Sequence, residues 1–254
     1  MMGRMPPPPC TTASLSHLGA FLCGVLGLVL SACGSPPAPP QQAGVQMHKG
    51  PIFNEAFTDG FMIAVDEQRY QFRPQLIGEI RLESGQLVAC DPLVSCDLPF
   101  TQAVPAGRFP LQLAIARNGE DERIGFARIV FAPGRIEAWE LALTAGQDRA
   151  SLKPGEFFGY GVDSGTGAFM DLAALREFEA RRQREGEEFD DALFEELDKH
   201  YQHTRSWHLL ETAKGTVAMF SSGYGDGVYS TWFGYDSRGK LIAAITDFGL
   251  VPWE

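Results

Sequence analysis

The sequence has little of what builds metal centres, binds polyanions or crosses a membrane. It contains five cysteines and five histidines in 254 residues, and its 21 Lys and Arg face 32 Asp and Glu, for a formal net charge of −11. So acidic a chain is a poor partner for nucleic acid or an anionic lipid surface, which both require basic patches. Beyond the N-terminal region, no apolar run approaches the ~20 residues of a transmembrane helix. The residues indicate no metal site, and they identify no cofactor.

The N-terminal region predicts export. Arg4 is the only Lys or Arg before an apolar run at residues 18–30 that is too short to span a bilayer, a combination typical of a secretory signal. The run ends in Leu30-Ser31-Ala32-Cys33, which resembles the lipobox of bacterial lipoproteins. The resemblance implies cleavage before Cys33 and attachment of three acyl chains, which hold a protein firmly to a bilayer. Gly34 rather than an aspartate follows, which resembles the outer-membrane sorting pattern of Gram-negative lipoproteins. This resemblance implies an outer-membrane lipoprotein that faces the periplasm.

Three regions follow from this interpretation. Residues 1–32 form the signal peptide, residues 33–46 a proline-rich spacer and residues 47–254 a single globular domain. Cleavage removes one basic residue, Arg4, and no acid, so the net charge of −11 becomes −12. This charge suits solubility or a cationic partner. The expected partners are the membrane, through the lipid anchor, and a protein or small-molecule ligand, but no nucleic acid.

Two cysteines remain in the mature domain. Cys10 and Cys23 leave with the signal peptide and Cys33 carries lipid, which leaves Cys90 and Cys96. Outside the cytoplasm an even remaining pair favours a disulfide. A catalytic thiol or a two-cysteine metal site is the alternative, although neither a histidine nor a third cysteine lies nearby to complete one.

Hydrophobic periodicity predicts an α+β domain of mainly antiparallel β-sheet, sandwich-like or strongly twisted. Alternating apolar segments joined by glycine-containing turns indicate strands in both halves of the domain, including a hairpin of 77–82 with 86–89. In the centre, apolar residues recur at spacings of three, and this stripe resumes after Gly186. The stripe predicts a two-helix insertion around 168–200. No internal repeat is recognised.

Two glycine-rich segments, residues 157–171 and 220–229, also contain aspartates and aromatic residues. Asp163, Asp171 and Asp226 are the candidate catalytic residues, because clustered carboxylates bind a hard cation or divide into an acid and a base. Each has a structural alternative. Asp171 suits a helix N-cap, and aspartates beside glycines often bond their own turn backbone.

The aromatic residues of these segments supply the candidate ligand-binding side chains. Tyr160, Tyr224 and Tyr229 of these segments, together with Trp232 just after the second segment, would line a ligand groove if the loops converge. The alternative is that they are core or sheet-surface residues, as aromatics in strands usually are.

The order of short motifs along the chain resembles the bacterial family known as domain of unknown function 4241. The motifs are residues 89–92, 104–108, 121–123, 139–140, 159–163, 221–229, 232–236 and 246–248. The resemblance covers about residues 78–250 and implies one domain there. It implies no activity, cofactor or catalytic residue.

Two functions of different class therefore stay open. The first is a membrane-anchored lipoprotein whose domain binds a ligand or protein without catalysis. The second is a periplasmic hydrolase or cation-dependent enzyme that uses Asp163, Asp226 and Asp171. We favour the first, because the sequence offers aspartates but no assigned nucleophile, base or metal ligand.

Overall fold

The computed structural model describes residues 49–96 and 98–251. These residues belong to one compact unit, Val45–Glu254. The expected signal peptide, the lipidation site Cys33 and the spacer lie outside the described residues, so what the sequence predicts for them stays a prediction.

The strands dominate the described chain. In chain order they are β1 Met62–Val65, β2 Gln68–Leu82, β3 Leu87–Cys90, β4 Gly107–Asn118, β5 Asp121–Val130, β6 Ala138–Leu141, β7 Tyr160–Val162, β8 Thr166–Asp171, β9 Trp207–Thr212, β10 Gly215–Ser221, β11 Gly227–Tyr235 and β12 Leu241–Asp247. The helices are α1 Lys49–Glu55, α2 Leu172–Glu185 and α3 Glu187–Asp198, with a short 3-10 helix at Arg149–Ser151.

These strands form two antiparallel sheets. Sheet A has the order β1-β2-β4-β5-β12-β11-β6, and β7 also pairs with β11. Sheet B has the order β3-β8-β10-β9. The predicted α+β class with mainly antiparallel sheet is confirmed.

The two sheets pack face to face, and helices cover their outer faces. The core between the sheets combines side chains such as Leu113 of β4 with Phe169 of β8. Helix α1 covers the outer face of sheet A, where the ring of Phe53 packs edge-on against neighbouring aromatics. Helices α2 and α3 cover sheet B through Phe178 and Phe189. Burial of these three apolar layers supplies the main favourable free energy of folding.

The predicted hairpin of 77–82 with 86–89 is wrong. Residues 77–82 belong to β2 in sheet A, whereas β3 pairs with β8 in sheet B. The turn Glu83-Ser84-Gly85 therefore carries the chain from one sheet to the other instead of folding it back. Alternation along a strand determines which face is buried, but it does not select the neighbouring strand.

Both helices of the predicted insertion are present, but α2 begins later than residue 168. Residues 168–171 complete β8, which lies between β3 and β10. Ala168, Phe169 and Met170 are consequently buried. A strand buried on both faces is a continuous apolar run, which periodicity alone does not distinguish from a buried helix.

Candidate functional site

Asp171, one of the three candidate catalytic aspartates, has a fully engaged carboxylate. It caps α2 by accepting a hydrogen bond from Ala173 N at 2.8 Å. It also accepts hydrogen bonds from Glu83 N at 2.9 Å, Ser84 N at 2.7 Å and Ser84 Oγ at 2.8 Å. Asp171 is buried, so these donors replace water around its charge. The carboxylate thus fixes the turn that leads into β3.

Asp91 performs the same task at the opposite end of the β3–β8 pair. Its carboxylate accepts hydrogen bonds from Asp163 N at 2.9 Å, Ser164 N at 2.8 Å and Ser164 Oγ at 2.7 Å. It also accepts from Leu93 N at 3.0 Å and Val94 N at 3.2 Å in its own turn. Asp91 is buried, and it fixes the turn that leads into β8.

The two arrangements are reciprocal, and we call them the aspartate clamps. Strand β8 ends in Asp171, which holds the turn before β3. Strand β3 is followed by Asp91, which holds the turn before β8. Residues 83–91 and 163–171 share one pattern, an acidic residue followed by Ser and Gly, with an aspartate eight positions after the acid. Gly85 and Gly165 have φ values of +74° and +68°, which glycine adopts without steric cost. The expectation of no internal repeat is therefore corrected, because this nine-residue unit occurs twice.

Asp163 and Asp226 occupy a different place from Asp171. Both are exposed, and the pairing of Val162 with Gly227 brings their loop positions alongside each other. Asp171 lies at the far end of β8, about 17 Å along the strand from Thr166. Within residues 49–96 and 98–251, no three His, Cys, Asp or Glu side chains form a group suited to a metal ion. The three aspartates do not converge on one centre.

Cys90 and Cys96 form a disulfide in the structure, with 5.0 Å between their Cα atoms. The bond closes the turn that contains Asp91. The disulfide has a structural role because it lies beside the carboxylate of Asp91. It limits the conformations of the segment whose N–H groups donate hydrogen bonds to that carboxylate.

Tyr229 and Trp232 are core residues rather than groove residues. They are 7% and 9% exposed. The hydroxyl of Tyr229 donates to Gly225 O at 2.7 Å and lies 3.2 Å from Ser222 O, so it holds the second glycine-rich loop in shape. Trp232 donates from Nε1 to Ser230 Oγ at 2.9 Å.

Tyr160 also faces inward. Its hydroxyl lies 3.0 Å from Thr246 Oγ1, and burial raises its pKa. The side chain borders a small cavity of about 60 Å³, which is below the size of an ordinary ligand pocket. Of the four aromatic candidates, Tyr224 is the one on the surface.

Tyr224 forms one wall of an open cavity of about 760 Å³, which we call the tyrosine cleft. The other walls are the β1–β2 turn at residues 65–68, Tyr70 and Leu250. Tyr224 is 56% exposed, whereas Tyr70 is buried. The two hydroxyl oxygens lie 2.8 Å apart, and Tyr70 also hydrogen-bonds to Gln68 Oε1. The cleft therefore exposes the ring of Tyr224, whose hydroxyl is hydrogen-bonded to that of the buried Tyr70.

Arg123 holds Tyr224 from the other side. Its guanidinium carbon lies 4.6 Å from the centroid of the Tyr224 ring, within the range of a cation–π contact. The same guanidinium donates to Asp121 Oδ2 at 2.7 Å and to Gly223 O at 3.2 Å. The side chain of Tyr224 is thus held in position by contacts within the protein.

The chemistry of Tyr70 suits hydrogen bonding rather than proton transfer. Burial, followed by the hydrogen bond with Tyr224, raises the pKa of Tyr70 to about 12. A phenol with so high a pKa stays protonated at physiological pH, and it acts as a donor or acceptor in a fixed network. Tyr70 is therefore a fixed, neutral hydrogen-bonding group in the wall of the cleft.

A buried ion pair between Arg205 and Glu122 is connected to the cleft by hydrogen bonds. Arg205 Nη2 donates to Glu122 Oε2 at 2.9 Å, and the two side chains are 3% and 13% exposed. Burial alone would raise the pKa of the Glu122 carboxyl, but the hydrogen bonds and charge of Arg205 outweigh burial and lower it. Thr204 Oγ1 joins this layer to the cleft by donating to Glu122 O and lying 3.1 Å from Asp121 Oδ1.

Comparison with known proteins places most of this structure in one family. A family model described as "Protein of unknown function (DUF4241)" matches residues 80–246. The chain belongs to this family. The match includes both aspartate clamps and Tyr224, and it leaves out α1, β1 and the part of β2 that carries Tyr70. No curated protein and no solved structure matches the chain. None of the described helices is long and apolar enough to cross a membrane.

Sequence reasoning missed Tyr70 and the turn-holding role of Asp91. The repeated pattern at 83–91 and 163–171 is the signal that would have identified Asp91 as the counterpart of Asp171. Tyr70 had no such signal, because it lies outside both glycine-rich segments and meets Tyr224 across 154 positions of sequence.

Proposed function

We propose that this member of the family is a lipoprotein, anchored through Cys33 to the outer membrane, whose domain binds a protein or small-molecule ligand without catalysing a reaction. We propose the tyrosine cleft as its binding site. The observation that carries the proposal is Tyr224, an exposed aromatic side chain fixed by Tyr70 and Arg123 at the wall of an open cavity. Tyrosine and arginine are the side chains most often responsible for binding energy at interfaces. A side chain fixed beforehand also loses less conformational entropy on binding.

The engagement of the aspartates favours binding over hydrolysis. A general acid or base must reach the proton it transfers. The carboxylate of Asp171 is instead buried against backbone and hydroxyl donors. Asp163 and Asp226 lie exposed in loops apart from it.

The anchoring proposal predicts a change of compartment when Cys33 is replaced. Cys33→Ser removes the thiol that would carry the acyl chains, so the variant should leave the membrane fraction for the soluble fraction after a high-salt wash. Immunoblots of the two fractions measure this change. Cys10→Ser is the matched control, because position 10 is removed with the proposed signal peptide and the mature protein is unchanged. Retention of Cys33→Ser in washed membranes would contradict the proposed anchor.

The cleft proposal predicts that binding depends on the exposed tyrosine. Displayed peptides selected on the intact, detergent-solubilised protein should bind Tyr224→Ala at least about tenfold more weakly, since interface tyrosines often contribute that much. Tyr201→Ala is the matched control, because Tyr201 is 60% exposed and does not line the cleft. Fluorescence anisotropy of labelled peptides gives the affinities. Selected peptides that bind Tyr224→Ala and the wild type equally would place the binding site elsewhere.

A further inference from the structure

A second surface lies on the opposite side of β2 from Tyr70. Successive residues of a strand point to opposite faces, so Arg69 and Arg73 share a face that Tyr70 does not. Arg117 joins them, because it pairs with Gln71, the residue between the two arginines on that face. We call these three side chains the arginine face. All three residues are exposed.

The arginine face continues the inner face of sheet A beyond the cover of sheet B. Ile77, four residues after Arg73 on the same strand, lies in the core between the two sheets. Closer to β1, the same face carries arginines in place of core residues. Met62 of β1 pairs with Gln71 and is 71% exposed. The surface therefore combines positive charge with uncovered apolar area.

Positive charge exceeds negative charge on this face, although the protein as a whole carries −11. Among the described residues, Arg69 has no ion-pair partner within 4.0 Å, and Arg117 donates from Nε to Gly119 O. Arg73 approaches Glu122 at 3.9 Å, but that carboxylate is bound more closely by Arg205 at 2.9 Å. Glu122 lies on the same face, because it pairs with Arg117 across β4 and β5, so one strand carboxylate faces three arginines. Asp66, Glu67 and Glu120 belong to the β1–β2 and β4–β5 turns.

The arginine face adjoins a free strand edge. Within residues 49–96 and 98–251, β1 is the terminal strand of sheet A and pairs with β2 alone. An edge strand presents a row of backbone N–H and C=O groups to any chain that lies beside it. A cavity of about 560 Å³ lies over the sheet next to this edge, where residues of β1, β2 and the end of β4 line it, and its charged lining residues are Arg69 and Arg117.

We propose that this edge binds an extended, acidic segment of a partner protein, added to sheet A as a strand beside β1. The backbone of the segment pairs with β1, and strand alternation places every second side chain on the side of the sheet that carries the arginine face. Neighbouring strands lie about 4.8 Å apart, so Arg69 of β2 is about 10 Å from the added strand and Arg117 of β4 is about 14 Å from it. Carboxylates at those positions match the guanidinium group of Arg69, which has no ion-pair partner among the described residues. The intervening side chains lie on the face of Ile63 and Val65, which favours apolar residues there. The inference goes beyond the proposed function, because the tyrosine cleft lies across β2.

The test uses a short labelled peptide that alternates Val and Glu, with the intact protein in detergent. Arg69→Gln should weaken binding about fivefold, as expected for a solvent-exposed charge pair. Arg117→Gln should weaken binding less, because β4 lies one strand further from the added strand than β2 does. Raising the ionic strength from about 0.05 M to about 0.5 M should also weaken binding. Arg135→Gln is the matched control, because the Arg135 side chain is 87% exposed and lies between β5 and β6.

Amide hydrogen exchange tests the added strand directly. The peptide should slow exchange in the β1 segment, Met62–Val65, because its outward amides gain hydrogen-bond partners. Equal binding of peptides with Gln or Lys in place of Glu would overturn the proposal, as would unchanged exchange in β1. A Val–Glu peptide whose binding is lost in Tyr224→Ala but kept in the arginine variants would also overturn it, while the proposal for the tyrosine cleft would survive.

Discussion

Replacing Asp171 with alanine should lower the free energy of unfolding by about 3 kcal/mol. The substitution removes a helix N-cap, which contributes about 1 kcal/mol. It also removes the charged acceptor of the N–H groups of Glu83 and Ser84, and hydrogen bonds to charged groups contribute about 1.5–3 kcal/mol. Asp91→Ala should cost a similar amount, since Asp91 holds the equivalent turn. Urea unfolding monitored by tryptophan fluorescence measures both effects.

The other two candidate aspartates provide the controls for this prediction. Asp163→Ala and Asp226→Ala change exposed side chains, so each should alter the free energy of unfolding by no more than about 0.5 kcal/mol. The contrast separates the clamps from a catalytic cluster. Equal and small effects at all four positions would show that the carboxylates of Asp91 and Asp171 do not hold the turns.

Glu122→Gln should lower the free energy of unfolding by about 2 kcal/mol at pH 7. The variant leaves the buried Arg205 guanidinium without its carboxylate, and breaking a buried pair in this way costs more than the pair itself contributes. Because the Glu122 side chain is slightly exposed, we expect a smaller loss of stability than for a fully buried pair. Glu137→Gln is the matched control, because Glu137 pairs with the exposed Arg135 and surface pairs contribute little.

The effect of Glu122→Gln should depend on pH in a stated direction. The pKa of Glu122 is lowered in the folded protein relative to about 4.3 in an unfolded chain. Its stabilising contribution is therefore fully present above about pH 4.3 and is lost as the pH falls through the lower, folded value. The difference in stability between the wild type and Glu122→Gln should shrink over this acidic range. Urea unfolding at several pH values measures it, and a difference that stays constant down to pH 3 would exclude the ion pair as its cause.

The local character of the chain could be predicted, since it depends on neighbouring residues. Alternating apolar residues predicted the β-rich fold, and the stripe around Leu175 predicted the helical insertion. The N-cap alternative for Asp171 also followed from its own position, and the structure places it there. The start of α2 did not follow, because burial of β8 on both faces depends on strands distant in sequence.

The candidate site could be predicted only in part. Tyr224 was selected from its glycine-rich loop, and it is exposed at the cleft. Tyr160 and Tyr229 were selected for the same reason, and Trp232 from the residues just after the second segment, but the pairing of their strands turns all three inward. Tyr70 and Arg123 reach Tyr224 from strands β2 and β5. No local pattern encodes such a contact.

The sequence by itself determined the acidic charge, the family, the mainly antiparallel class and the two-helix insertion, because composition, motif order and periodicity are properties of the chain read locally. Tertiary structure alone decided which strands pair, which carboxylates become clamps and which tyrosine stays exposed. The reason is physical. Hydrogen bonds such as those from Ser84 to Asp171 or from Ser164 to Asp91 join residues far apart in sequence. These bonds form only when the packing of the two sheets brings the groups together and displaces the water that would otherwise bind them.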